Sequence, residues 1–102
     1  METKIITEVV QFEALDSSTD EQILSAVHGL NQFQKEYEGF LDSEIAKDLN
    51  EESWRIIFHY ENFESVKTIG ANLRSSTEFA DFTSLIESES LKLSFGQQLK
   101  NW

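Results

Sequence analysis

The sequence predicts an α+β domain whose elements run β-α-β-β-α-β. Three observations point to it. Segments alternating with period two open the chain, close it and form a pair in its middle. The two intervals between these segments carry apolar residues at helical spacing. Short polar stretches, Asp16 to Gln22, Asn50 to Ser53 and Ser75 to Thr77, separate the elements.

The first strand spans Ile5 to Ala14, with Ile5, Thr7, Val9 and Gln11 on one side and Ile6, Glu8, Val10 and Phe12 on the other. A helix then begins at one of two capping boxes, Ser18 with Glu21 or Thr19 with Gln22, and acids fill its first turn. Its apolar stripe is Ile23, Ala26, Val27, Leu30, Phe33 and Tyr37, and Gly39 is placed to end it. Phe40 to Leu49 reads as a strand with one wet face, setting Leu41, Ser43, Ile45, Lys47 and Leu49 against Phe40, Asp42, Glu44, Ala46 and Asp48. After a polar turn, Trp54 to Tyr60 is the most β-prone stretch of the chain, so the two form a hairpin.

A second helical pattern starts at Ser65 and runs through Val66, Ile69 and Leu73 to the break at Ser75-Ser76-Thr77, where Ser75 and Glu78 suggest a fresh cap. A short helix with Phe79, Phe82, Leu85 and Ile86 follows, and Leu91 to Gly96 alternates as the last strand. This order is the split βαβ arrangement, a four-stranded antiparallel sheet with both helices on one face. Ile5, Val9, Leu41, Ile45 and Ile57 give both sheet faces apolar side chains, so the uncovered face is expected to bury itself against a second copy.

Composition narrows the function. At 102 residues the chain is expected to form one domain, 1–102, burying about two-thirds of its unfolded surface. Eight Lys and Arg stand against 19 Asp and Glu, a net charge of −11, which leaves no basic stripe for a phosphate backbone and disfavours anionic membranes. There is no cysteine, hence no disulfide and no thiolate chemistry, and with two histidines no dedicated metal site is expected. Gly29, Gly39, Gly70 and Gly96 are too scattered for a dinucleotide or phosphate loop. Met1-Glu2-Thr3-Lys4 lacks a basic leader and no window reaches the length of a membrane span, so a cytoplasmic location is expected.

Gly39-Phe40-Leu41 with Glu44, the aromatic run Trp54 to Tyr60, the turn Tyr60-Glu61-Asn62-Phe63-Glu64-Ser65 and the later Ser76-Thr77-Glu78-Phe79 together resemble the antibiotic biosynthesis monooxygenase family. The likeness follows nearly the whole chain in element order. It implies a ferredoxin-like subunit of the dimeric α+β barrel type, a homodimer through the sheet faces, and a small pocket between sheet and helices. The activities it implies are cofactor-independent oxygenation of quinol-like polyketides and haem degradation. The haem-degrading residue set is missing: its strand-one Asn has no counterpart, and its helix Trp and His positions fall on Asn72 and Phe82. Phe63 also stands where the family's turn has Trp.

His59 is the leading candidate for proton transfer, because imidazole titrates near neutral pH. On strand parity it shares a face with Ile57 and Glu61, whose carboxylate is placed to orient the ring. The competing reading is a hydrogen-bonded sheet or interface histidine. Asn72, Tyr60 and Tyr37 are candidate donors to a phenolate or carbonyl oxygen of a bound aromatic. Phe63, Phe79, Phe82 and Phe95 either wall such a ligand or form plain core. Arg55 and Arg74, the only arginines, either hold an acidic substrate or pair with neighbouring acids.

The expected function is a cofactor-free, monooxygenase-like homodimer that binds a small aromatic or polyketide-like molecule, with His59 and Asn72 as catalytic residues and Tyr60, Phe63, Phe79, Phe82 and Tyr37 against the ligand. The alternative is a non-catalytic binding or structural dimer of the same fold. An enclosed pocket of a few hundred Å³ with His59 or Asn72 pointing in would favour the first.

Overall fold

A computed structural model describes residues 4–102; Met1 to Thr3, part of the leader reading above, lie outside the described residues. The elements are β1 (Ile6–Glu13), α1 (Asp20–Lys35), β2 (Phe40–Lys47), β3 (Ser53–Tyr60), α2 (Phe63–Arg74), α3 (Thr77–Thr83), a 3₁₀ turn (Ser88–Ser90) and β4 (Lys92–Gln97). The strands form one antiparallel sheet in the order β2-β3-β1-β4. This is the ferredoxin-like α+β fold that the alternation and helical spacing predict, with the second helical interval broken in two.

The helix starts follow local hydrogen-bond chemistry. Of the two capping boxes, Thr19 with Gln22 forms, each side chain accepting from the other's backbone N–H. The second helix begins earlier than the sequence suggests, because the Asn62 carboxamide accepts from Ser65 N at 2.8 Å and so caps α2 ahead of Phe63. Ser76, not Ser75, caps α3, accepting from Phe79 N at 3.1 Å, while Ser75 closes α2.

Gly39 opens β2 with φ +95, a conformation that side-chain-bearing residues rarely adopt. A Cβ there would also clash with the Ser65 side chain, so the turn and the start of α2 depend on the missing side chain.

Strand parity differs from the sequence expectation in β2. The register pairs Phe40 with Tyr60 but Asp42 with His59, leaving Leu41 as an extra, exposed residue in a bulge. Phe40 therefore points to the helices with Ser43, Ile45 and Lys47, and packs on Tyr60 and Phe58 at centroid separations of 5.6 and 6.2 Å. Strict alternation, which set Phe40 beside Asp42, fails at this one residue.

The core lies between sheet and helices. Ile6, Val10 and Phe12 of β1, Trp54, Ile56, Phe58 and Tyr60 of β3, Ile23, Val27 and Leu30 of α1, Val66 and Ile69 of α2 and Phe82 of α3 are buried in it. Phe12 stacks on Trp54 and meets the edge of Phe82 at 5.1 Å. On the open face the register places Thr7, Val9 and Gln11 beside Arg55, Ile57 and His59, with Asp42, Glu44 and Ala46 on β2. That face is less apolar than the sequence suggests, since Ile45 belongs to the core side and Leu41 to the bulge.

Candidate functional site

The parity that builds the core also selects the site. Between the sheet and α2–α3 lies a cavity of about 100 Å³, walled by Val10, Leu30, Ile56, Phe58, Leu73, Phe79, Phe82 and Leu91, with Leu93 of β4 at its edge. Its polar groups are the side chains of Glu8, Tyr60 and Arg74, and Gly70 lends it a wall without a side chain. A wider groove of about 350 Å³ between α1 and α3 lies open to solvent, which leaves it little to enclose a ligand.

Glu8 is the residue that strand alternation puts on the buried face of β1, between Ile6 and Val10. Burial raises its carboxyl above the usual glutamate range, while the hydrogen bond from Tyr60 and the charge of Arg74 pull it partly back. Tyr60 Oη lies 3.2 Å from Glu8 Oε1 and also meets Gln34 Oε1. Burial, then the charge and hydrogen bond of Glu8, push the phenol well above its ordinary range, so Tyr60 keeps its proton throughout the physiological range. Gln34 is wholly buried on α1, and its Nε2 has no hydrogen-bond partner among the described residues. Arg74, in the last turn of α2, lines the cavity and makes no ion pair with a described carboxylate, so of the two roles its sequence leaves open the structure does not show the pairing.

The residues singled out in the sequence divide. Tyr60, Phe79 and Phe82 line the cavity. His59 does not, because β3 turns it to the open face, where its Nδ1 lies 2.7 Å from Asp42 Oδ1 across the hairpin. Its carboxylate partner is thus Asp42, made adjacent by the bulge, and not Glu61, which lies past the end of β3. Asn72 is exposed and donates to Thr68 O of its own helix at 2.9 Å, outside the cavity lining. Phe63 stacks edge-on against Phe95 of β4 at 6.0 Å, and Tyr37 packs on Phe33 at 5.5 Å; neither lines the cavity.

Glu8 and Gln34 are absent from the sequence-derived candidates, yet each leaves a signal. Glu8 is the one charged residue on the Ile6-Val10-Phe12 side of its strand. Gln34 continues the spacing Ile23-Val27-Leu30 by one more turn. Among the described residues no cluster of three or more His, Asp or Glu is placed to hold a metal ion, and no helix is long and apolar enough to cross a membrane.

No protein-family model matches the chain, and no curated protein does. Solved structures do. SnoaB, a cofactor-independent oxygenase from Streptomyces nogalater, gives a TM-score of 0.74 over 96% of this chain and 96% of its own at 11% identity. A candidate antibiotic biosynthesis monooxygenase from Caulobacter crescentus CB15 gives 0.73 at 12% identity, covering 96% of this chain and 92% of its own. A dimeric ferredoxin-like protein of unknown function from Thermobifida fusca gives 0.70 at 8% identity, over 96% and 94%. The chain therefore has the fold of the antibiotic biosynthesis monooxygenases, as the resemblance in its sequence implies; likeness at these identities is likeness of fold.

Proposed function

We propose that the chain is a cytoplasmic, homodimeric, monooxygenase-like protein that binds a compact hydroxylated aromatic molecule between sheet and helices and works without a metal or flavin of its own. The observation that carries this reading is a single carboxylate of raised proton affinity, Glu8, set into an otherwise apolar cavity beside Tyr60. Oxidation of a phenol or quinol by dioxygen proceeds most readily from its anion, so the protein's first task is to remove a hydroxyl proton. Ionised Glu8 accepts that proton, and its raised pKa makes it a better base than an exposed glutamate. Arg74 in the cavity lining faces the negative charge that develops, and Phe58, Phe79 and Phe82 offer the ring apolar contact.

Size narrows the ligand. An apolar cavity of about 150 Å³ admits benzene, so about 100 Å³ is short of one hydroxylated ring and binding requires the Leu93 side to open. The resemblance to SnoaB's fold supports oxygen chemistry, and the Thermobifida fusca dimer supports the pairing of two copies. The position of His59 and Asn72 outside the cavity favours one competing reading, a binding protein of the same fold without turnover.

The test is a thermal-shift screen of phenols and hydroquinones followed by oxygen-uptake measurements on the binders. A ligand at 100 times its Kd should stabilise the protein by about 2.7 kcal/mol, and Glu8→Gln should retain binding while losing about 10²-fold or more of the uptake rate. Binding without uptake selects the non-catalytic reading. Failure of every hydroxylated arene to stabilise the protein overturns both.

A further inference from the structure

The polar end of the cavity contains more acceptors than protons. Tyr60 has one hydroxyl proton and lies against two acceptors, Glu8 Oε1 at 3.2 Å and, more closely, Gln34 Oε1. A phenol donates once and accepts through its lone pairs. We infer that Gln34 is a positioning residue for Glu8: by competing for the Tyr60 proton it weakens that donor's bond to the carboxylate, so Glu8 holds a proton more readily than it would beside an uncommitted tyrosine.

The directions of the hydrogen bonds follow from this. When Glu8 is neutral, its O–H donates to Tyr60 Oη and Tyr60 O–H donates to Gln34 Oε1, so no two acceptors compete for one proton. When Glu8 is ionised, the single Tyr60 proton is divided between Glu8 Oε1 and the nearer Gln34 Oε1, so the carboxylate receives a weakened bond. The competition for the Tyr60 proton ends only after Glu8 has taken a proton, which favours the product of the transfer step over its starting state. That transfer moves one proton from a substrate hydroxyl to Glu8 Oε and breaks no other bond. The orientation of the amide decides the matter. With Nε2 toward Tyr60 it would donate to Oη, release the Tyr60 proton to Glu8 and favour the charged carboxylate. Instead Oε1 meets Tyr60, and Nε2 is left without a partner in a wholly buried side chain.

The other elements around Glu8 offer little competition. Arg74 of α2 bears a charge that favours ionised Glu8, β3 contributes Tyr60, and β4 places uncharged Phe95 opposite it. The inference deepens the proton-accepting role proposed for Glu8 and rests on it for its catalytic meaning, but the proton equilibrium itself is measurable without substrate.

The experiment is a carbon-13 carboxyl titration of Glu8 in the unliganded full chain, in wild type, Gln34→Leu and Gln34→Met. Both variants are apolar and close to glutamine in size, and Met also keeps its unbranched shape. The titration midpoint is expected to move down in the variants, because the freed Tyr60 proton turns to the carboxylate, and the acid limb of any oxygen uptake should move down with it. A midpoint that stays or rises overturns the inference. In wild type, strong nuclear Overhauser contacts from the Gln34 amide protons to the Tyr60 ring would overturn it too, since they require Nε2 at the phenol; that measurement needs no variant. A lowered midpoint with no arene binding would keep the role of Gln34 and sink the oxygenase reading. An unmoved midpoint with uptake abolished by Glu8→Gln would do the reverse.

Discussion

Glu8 is a charged residue in a position that folding would fill with an apolar one, and this has a thermodynamic signature. Its pKa in the folded chain is raised by burial above the value in the unfolded chain. A carboxyl shifted in this direction contributes stability while protonated, fully below its unfolded pKa, and the contribution is lost as pH rises through the folded pKa. Glu8→Gln should therefore raise the melting temperature at pH 7 and have a much smaller effect at pH 4. Thermal melts of both proteins at the two pH values check this, and a larger gain at the acid end would show that the sign is wrong. Glu8 and Gln34 were both legible as violations of an apolar pattern, one in a strand and one on a helix stripe. What no pattern contained is that they meet through Tyr60, because residues 8, 34 and 60 come together only when β1, β3 and α1 pack.

At the scale of elements, the strands and helices follow from alternation, spacing and caps, and they stand nearly where the sequence puts them. The failures are local and physical. Asn62 starts α2 early because a carboxamide can cap as well as a hydroxyl can, and the bulge at Leu41 inserts one residue that periodicity does not register. That single residue is why His59 finds Asp42 as its partner. Gly39 ties two elements together, since its positive φ shapes the entrance to β2 and its bare Cα leaves room for Ser65 of α2. Gly39→Ala should lower stability by at least about 1–3 kcal/mol, the usual cost of backbone strain, with the contact at Ser65 adding to it. Urea unfolding measures this, and a loss of under half a kcal/mol would mean that the turn relaxes without cost.

For the whole molecule, the net charge of −11 constrains how two copies can meet. A pair carries twice that charge, so its contact has to gather the uncharged and basic groups of the open face. Val9, Ile57 and Ala46 offer a small apolar centre, and Arg55 and Lys92 set positive groups among Asp42 and Glu44. A two-fold pairing of such a face can oppose unlike charges, which makes the association sensitive to salt. Light scattering at micromolar concentration should report a dimer, and Ile57→Asp, which adds a charge at the centre while leaving the core side of β3 untouched, should shift it to monomer. A wild-type monomer under those conditions contradicts pairing through this face. The bulge in β2 has one more consequence, for how the chain tolerates changes of length. Removing a residue from a paired strand ordinarily inverts every side chain on one side of the cut. Leu41 is the exception: without it Phe40 and Ser43 stand two apart and still face the helices together, so this is the one place in β2 where the gene can lose a codon and the sheet keep its two faces.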